Sequence, residues 1–333
     1  MRMALVGAGR IGRMHAGLLA ATPGIDELIV ADVDAERAEA VAAEVGATAA
    51  RLDEAFERAE AVVIAAASAA HAELIRAGLR RRLPIFCEKP LAPKLRDSQA
   101  LVAEIEAAGT PFQLGFQRRF DAAYQEAHRL VASGELGRLY AMRLAGHDPQ
   151  PPHESYIPQS GGIFRDFSVH DFDVVRYLTG REVDEVYADG GVLGFEVFAR
   201  YGDVDTAVAT LRLDDGTLAV LTVARHDPLG YDIRTELFGS RDSVSVGLGS
   251  HTPMRSLEPG EAPPAGPAWQ AFQDRFTDAY RAELAAFVRL AGGEGPSACT
   301  ARDGLEALRV AVAATRSLHE HRPVRVAEVT DDA

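Results

Sequence analysis

The first dozen residues constrain this chain more than any other stretch. Met3-Ala4-Leu5-Val6 is a short apolar run, it ends in Gly7-Ala8-Gly9-Arg10-Ile11-Gly12, and a helical pattern follows at once. A strand, a glycine turn and a helix in that order leave few folds open. Gly7 permits the tight turn, Gly9 lets a pyrophosphate approach the backbone, and Gly12 lets helix and strand pack closely. The helix start then offers N–H groups and the positive end of a dipole to phosphates. Alone the hexapeptide is a weak signal. Asp32 strengthens it by ending the next apolar run, 20 residues after Gly12. An acid there accepts hydrogen bonds from the adenosine ribose hydroxyls. Its charge also repels a 2′-phosphate, so the expected cofactor is NAD rather than NADP, with its pyrophosphate over Gly9, Arg10 and Ile11. The bland readings are a plain turn for the glycines and a capping role for Asp32.

Through about residue 118, apolar runs near 28–31, 61–67, 84–87 and 110–114 alternate with helical patterns. Buried strands alternating with helices signal right-handed βαβ units on a parallel sheet. Beyond that the texture changes. A strand pattern at 139–146 leads into a Pro- and Gly-rich loop at 147–162, too long for a plain connector. A helical stretch at 167–178 follows, then strand runs at 183–188, 205–213, 217–224, 231–239 and 243–247. Asp214-Asp215-Gly216 between two of them is a hairpin signal. Strands in succession without helices mean an antiparallel sheet. The expected fold class is therefore α/β. A Rossmann domain over 1–118 precedes an α+β domain over 119–333 with a large open, mainly antiparallel sheet. The terminal helices, near 271–290 and 301–319, are candidates to pack back on the first domain.

Composition narrows the partners. The 333 residues suit two domains. A net charge of -14 argues against nucleic acid and anionic membranes, which need clustered Lys and Arg. Cys87 and Cys299 stand far apart, with no Cys/His cluster, so no metal is expected. There is no signal-like h-region and no run of about 18 apolar residues. The expected location is the cytoplasm.

Two further clusters carry chemistry. Phe86-Cys87-Glu88-Lys89-Pro90 sits where a strand ends, the edge at which open α/β sheets bind ligands. An ammonium there can polarise a substrate hydroxyl and stabilise an alkoxide. Asp166 and His170 follow Gly161-Gly162 and are spaced i, i+4, so on a helix they share a face. The aspartate can then orient the imidazole, and His170 can exchange a proton near neutral pH. The bland alternatives are a solvated lysine, a capping aspartate and a satisfied, partly buried histidine. Asp171 and Asp173 read as structural.

Together the glycine loop, Glu88-Lys89-Pro90 and the Asp166/His170 pair resemble the Gfo/Idh/MocA oxidoreductases along essentially the whole chain. Within that family, Gly115-Phe116-Gln117-Arg118-Arg119-Phe120-Asp121, Gly161 to Asp166, Tyr231-Asp232-Ile233 and Phe276-Thr277-Asp278-Ala279-Tyr280 resemble inositol 2-dehydrogenases. The resemblance implies a catalytic set of Lys89, Asp166 and His170, with His170 as general base. It implies cofactor contacts from Ser68, His71, Glu88 and Lys89, although a histidine at a helix start also reads as a cap. It implies substrate contacts from Arg118, Asp148 and Tyr231, and a homotetramer or homodimer through the C-terminal sheet. Two departures stand out. His147 replaces the arginine that tends to precede the Asn/Asp-Pro of the substrate loop, and the stretch from Ala65 to His71 lacks a Thr-Pro. The expected reaction is NAD-dependent oxidation of a cyclic polyol, myo-inositol first. The alternatives are a related sugar dehydrogenase, a keto-sugar or inosose reductase, an NAD-dependent glycoside hydrolase, and a non-catalytic NAD- or sugar-binding protein.

Overall fold

The computed structural model describes residues 1–262 and 264–331. They form two compact units: Met1–Phe120 with Asp278–Leu305, and Asp121–Thr277 with the residues from Glu306 onward. The expected division fell after residue 118, with the terminal helices as candidates to pack back on the first domain; the compact units assign 278–305 to the first.

In the first unit the chain runs β1 (Arg2–Val6), α1 (Arg10–Ala20), β2 (Glu27–Ala31), α2 (Ala35–Val45), β3 (Thr48–Ala49), α3 (Leu52–Arg58), β4 (Ala61–Ile64), α4 (His71–Arg80), β5 (Ile85–Glu88), α5 (Leu95–Ala108) and β6 (Phe112–Gly115). The sheet order is β3-β2-β1-β4-β5-β6 and every pairing is parallel. Chain order reverses between β1 and β4, so the loops after these strands flank the switch point where such sheets take ligands. β1, β2, β4 and β5 are buried along nearly their whole length. That is why they read as continuous apolar runs. Met3, Leu5, Val30, Val63 and Phe86 build the core, and Leu284, Phe287 and Val288 complete it from far along the chain. The sequence reading passed over β3 and α3, which are too short for a clear period.

The second unit contains α6 (Ala122–Ala132), β7 (Leu139–His147), α7 (Ile157–Ser160), a π-helical turn at Phe164–Ser168, α8 (Val169–Thr179), β8 (Val183–Gly191), β9 (Thr206–Leu213), β10 (Leu218–Ala224), β11 (Asp232–Gly239) and β12 (Ser243–Val246). Helices α9 (Phe272–Ala291) and α10 (Ala301–Glu320) each contribute to both units, and β13 (Val324–Arg325) ends the second sheet. Its order is β12-β11-β7-β10-β9-β8-β13. All its pairings are antiparallel except β7 with β10. β9 and β10 alternate buried and exposed residues, so one face is packed and the other open. Tyr187, Val208, Leu218 and Val220 stand on the open face, each at least 40% exposed. Among the described residues no helix is long and apolar enough to cross a membrane.

Candidate active site

The glycine loop joins β1 to α1. Gly7 has φ +101, and a Cβ on it would lie 2.5 Å from the Ala66 nitrogen. A Cβ on Gly12 would lie 1.8 Å from the Gly7 carbonyl oxygen, so helix and turn meet there without room for a side chain. At Gly9 a Cβ would meet nothing within 4 Å, which makes this the open side of the loop. Gly9 is the N-cap of α1, no side chain caps the helix, and its first turn holds no acid. An uncapped helix start beside open space fits a dinucleotide pyrophosphate. Asp32, at the end of β2, accepts the Ala8 amide at 2.7 Å and the Asp34 amide at 2.9 Å. It thus pins the loop and sets its carboxyl where the ribose is expected. Arg10 is exposed, while Ile11 and Ser68 are half-buried, Ser68 in a short 3₁₀ turn after β4.

Lys89 follows β5 directly, half-buried, with a cis bond to Pro90. Its amide donates to Glu88 Oε2 at 3.2 Å, and Glu88 Oε1 lies 2.6 Å from His15 Nε2. The neighbouring Cys87 thiol is buried, and burial together with Glu88 pushes its pKa well up, so it is unreactive. His71, expected at the cofactor or as a cap, is enclosed. It is only 1% exposed, with Nδ1 2.7 Å from the Pro90 carbonyl and Nε2 3.1 Å from that of Ala66. Burial lowers its pKa. Neutral, it donates from one ring nitrogen to one of these carbonyls, while its other nitrogen faces the second. Arg118 is enclosed in the turn Gln117–Phe120.

In the second unit Asp166 lies in the π-helical turn and His170 in the first turn of α8. The turn departs from the plain helix that the i, i+4 spacing suggests, and such turns concentrate at functional sites. Both oxygens of Asp166 are engaged: Oδ1 accepts the Tyr156 hydroxyl at 2.8 Å and Oδ2 accepts Arg225 at 3.0 Å. Arg225 is 2% exposed and also lies 3.6 Å from Asp148. Burial opposes its charge, but Asp166, Asp148 and Asp203 outweigh burial and raise its pKa. So the second unit gathers Asp166 and Asp148 around one arginine that the sequence reading missed. The geometry explains the meeting. Ala224 pairs with His147 across β10 and β7, so the residues that follow both strands emerge side by side. The loop after Arg225 then returns, with the Asp227 amide donating to the Asp148 carbonyl at 2.6 Å. Tyr231 ends that loop, buried, with its amide on the Trp269 carbonyl and its ring edge-on to Phe276.

His147, the departure in the substrate loop, stands 3.7 Å from Asp227 and 3.8 Å from Asp232. These three offer ligand atoms within 4.8 Å of one another, the spacing of a candidate metal site. Arg234 already grips both oxygens of Asp232, at 2.8 and 2.9 Å, and gives that carboxylate its cation.

Known proteins agree with this architecture. Residues 1–116 match the family described as oxidoreductases with an NAD-binding Rossmann fold, and 124–245 match the GFO/IDH/MocA C-terminal domain. A myo-inositol dehydrogenase of Streptomyces leeuwenhoekii is 42% identical, covering 95% of this chain and 97% of its own. A myo-inositol 2-dehydrogenase of Thermotoga maritima is 36% identical, covering 99% of each chain. A scyllo-inositol dehydrogenase of Lactobacillus casei, solved with bound NAD(H) and scyllo-inositol, superposes with a TM-score of 0.87 at 28% identity, over 98% of this chain and 99% of its own. With both domains matched and full-length relatives above 30% identity, the chain belongs to the Gfo/Idh/MocA family of NAD-dependent oxidoreductases.

Proposed function

We propose that this enzyme oxidises a secondary hydroxyl of a cyclic polyol, with myo-inositol converted to 2-keto-myo-inositol as the first candidate. The observation that carries the reading is full-length similarity to myo-inositol dehydrogenases, at 42% and 36% identity. NAD, held over Gly9 to Gly12 and beside Asp32, supplies the hydride acceptor, and the Asp32 charge selects it over NADP. His170 takes the hydroxyl proton on its imidazole. Lys89 places its ammonium against the developing alkoxide, and Asp166, fixed by Tyr156 and Arg225, orients the histidine. Arg118, Asp148 and Tyr231 contact the polyol. General base catalysis of this kind contributes about 100- to 10,000-fold in rate.

The test is NADH absorbance during incubation with NAD and a panel of inositols and sugars. Steady growth with myo-inositol is expected. Growth with scyllo-inositol alone, the ligand of the Lactobacillus casei relative, moves the substrate to that isomer, and silence across the panel ends the reading. His170→Ala should lose turnover while keeping NAD affinity, and equal loss of both contradicts a base.

The same reading pairs subunits through the open face of the second sheet. Tyr187, Val208, Leu218 and Val220 give it an exposed apolar patch, the kind that marks an association surface. Light scattering should show a dimer or tetramer that Val220→Lys dissociates, and a monomeric wild type rejects the assembly.

A further inference from the structure

Sealed inside the nucleotide-binding unit is a group of ionisable side chains to which the reaction above gives no task. His15, on α1, is fully enclosed, and its ring meets Phe86 and Tyr280 edge-on, both at 5.7 Å. Its Nε2 faces Glu88 Oε1 at 2.6 Å, and because a carboxylate only accepts, the ring donates. Glu88 Oε2 takes the Lys89 amide at 3.2 Å. One carboxylate therefore links the helix that opens at the dinucleotide loop to the residue after β5.

Glu283, on α9, completes the group. It is 0% exposed, and neither carboxylate oxygen has a hydrogen-bond partner among the described residues. Its main-chain carbonyl is fixed by Gln113 Nε2 at 2.9 Å. Tyr280 lies one turn before it on the same helix face. The charge acting on it is that of Glu88. His15 lies beyond Glu88, and the Cys87 thiol beside it stays protonated. Burial first, and Glu88 second, push the Glu283 pKa well up. A carboxyl so enclosed, with no donor facing either oxygen among the described residues, is disfavoured as an anion.

We propose that Glu283 is a positioning residue for Lys89: as a carboxylic acid it turns its O–H, through one bridging water, toward the Glu88 carboxylate that already holds His15 and the Lys89 amide. A buried polar group needs a partner, and a buried anion needs donors, so each carboxyl answers the other. Fixing Glu88 fixes the strand end from which Lys89 departs, relative to the helix that holds the pyrophosphate. The proposal rests on the catalytic role of Lys89 given above, but its first test does not.

That first test is thermal unfolding of the full chain and of Glu283→Gln, the uncharged isostere, across pH. An acid that is ionised when unfolded and protonated when folded takes up a proton on folding, so its contribution to stability falls as pH rises above about 4.3. Tm should therefore shift in favour of E283Q between about pH 4 and 8, and parallel curves overturn the proposal. The second test is steady-state turnover of NAD and myo-inositol. E283Q, which still donates, should keep kcat within about twofold, while Glu283→Met, which cannot donate, should lose about tenfold or more in kcat with the KM for NAD held. Wild-type kcat in E283M overturns the positioning role. So does failure of both E283M and Glu283→Leu to fold while E283Q folds, since Glu283 would then serve folding alone. Lys89→Ala tests the earlier reading by itself.

Discussion

Arg225 brings a guanidinium into the interior of the second unit, where Asp166, Asp148 and Asp203 offset its charge. Its Nε and Nη2 have no hydrogen-bond partner among the described residues, so its hold on Asp166 through Nη1 is a principal compensation for burial. Removing one partner of a buried charge costs more than the pair contributes. Arg225→Met should therefore release Asp166 and lower kcat by about tenfold or more, with the NAD dissociation constant nearly unchanged. Fluorescence titration against turnover separates the two. Asp205 makes a second prediction at this scale. It accepts the amides of Leu193, Gly194 and Phe195 and the Thr206 hydroxyl, at 2.7 to 3.1 Å. Burial would raise its pKa, but these donors prevail and hold it below the usual carboxylate value. A depressed acid stabilises the fold above its unfolded pKa and loses that contribution as pH falls through the folded value. Asp205→Ala should cost about 3 kcal/mol at neutral pH, and the gap to wild type should narrow as the pH falls below about 4. A gap constant with pH in chemical denaturation would remove the charge from the explanation.

At the level of elements, the turn between β1 and α1 separates fold from binding. Gly9 has φ -72 and open space at its Cβ position, so Gly9→Ala leaves the helix intact. A methyl there occupies the approach of the pyrophosphate, and NAD affinity should fall about tenfold or more with Tm unchanged. Gly12→Ala collides with the Gly7 carbonyl and should lower Tm as well. Equal behaviour of the two variants contradicts the division. This turn was legible in the sequence because its geometry admits only glycine at Gly7 and at Gly12, at fixed spacing. Lys89 at the end of β5 was legible because Pro90 and an apolar run bracket it. Other features left no local trace. The Arg225–Asp166 contact joins residues 59 apart, and periodicity says nothing about such a pair. His15 and Glu283 look like ordinary polar interruptions of helices, and only packing shows that both are enclosed. His71 was ambiguous because a histidine after a βα loop looks the same whether it faces a ligand or two carbonyls. The π-helical turn keeps the apolar spacing of a helix while widening its bonds, so the sequence pattern misses it.

At the scale of the whole molecule, the nucleotide-binding unit is not one continuous stretch of chain. Residues 278–305 return to it, with Leu284, Phe287 and Val288 in its core and the Leu114 amide bonded to the Cys299 carbonyl. A fragment ending at Phe120 leaves that apolar surface uncovered and should unfold without a cooperative transition in urea, whereas the full chain should show one. A sharp transition in the fragment would contradict this. The same return of the chain sets an order of events during synthesis. Because a ribosome delivers the N-terminus first, the dinucleotide motif emerges long before the segment that closes over it. The nascent chain therefore carries an incomplete Rossmann half, exposed to chaperones and proteases, until residues 278–305 have been made.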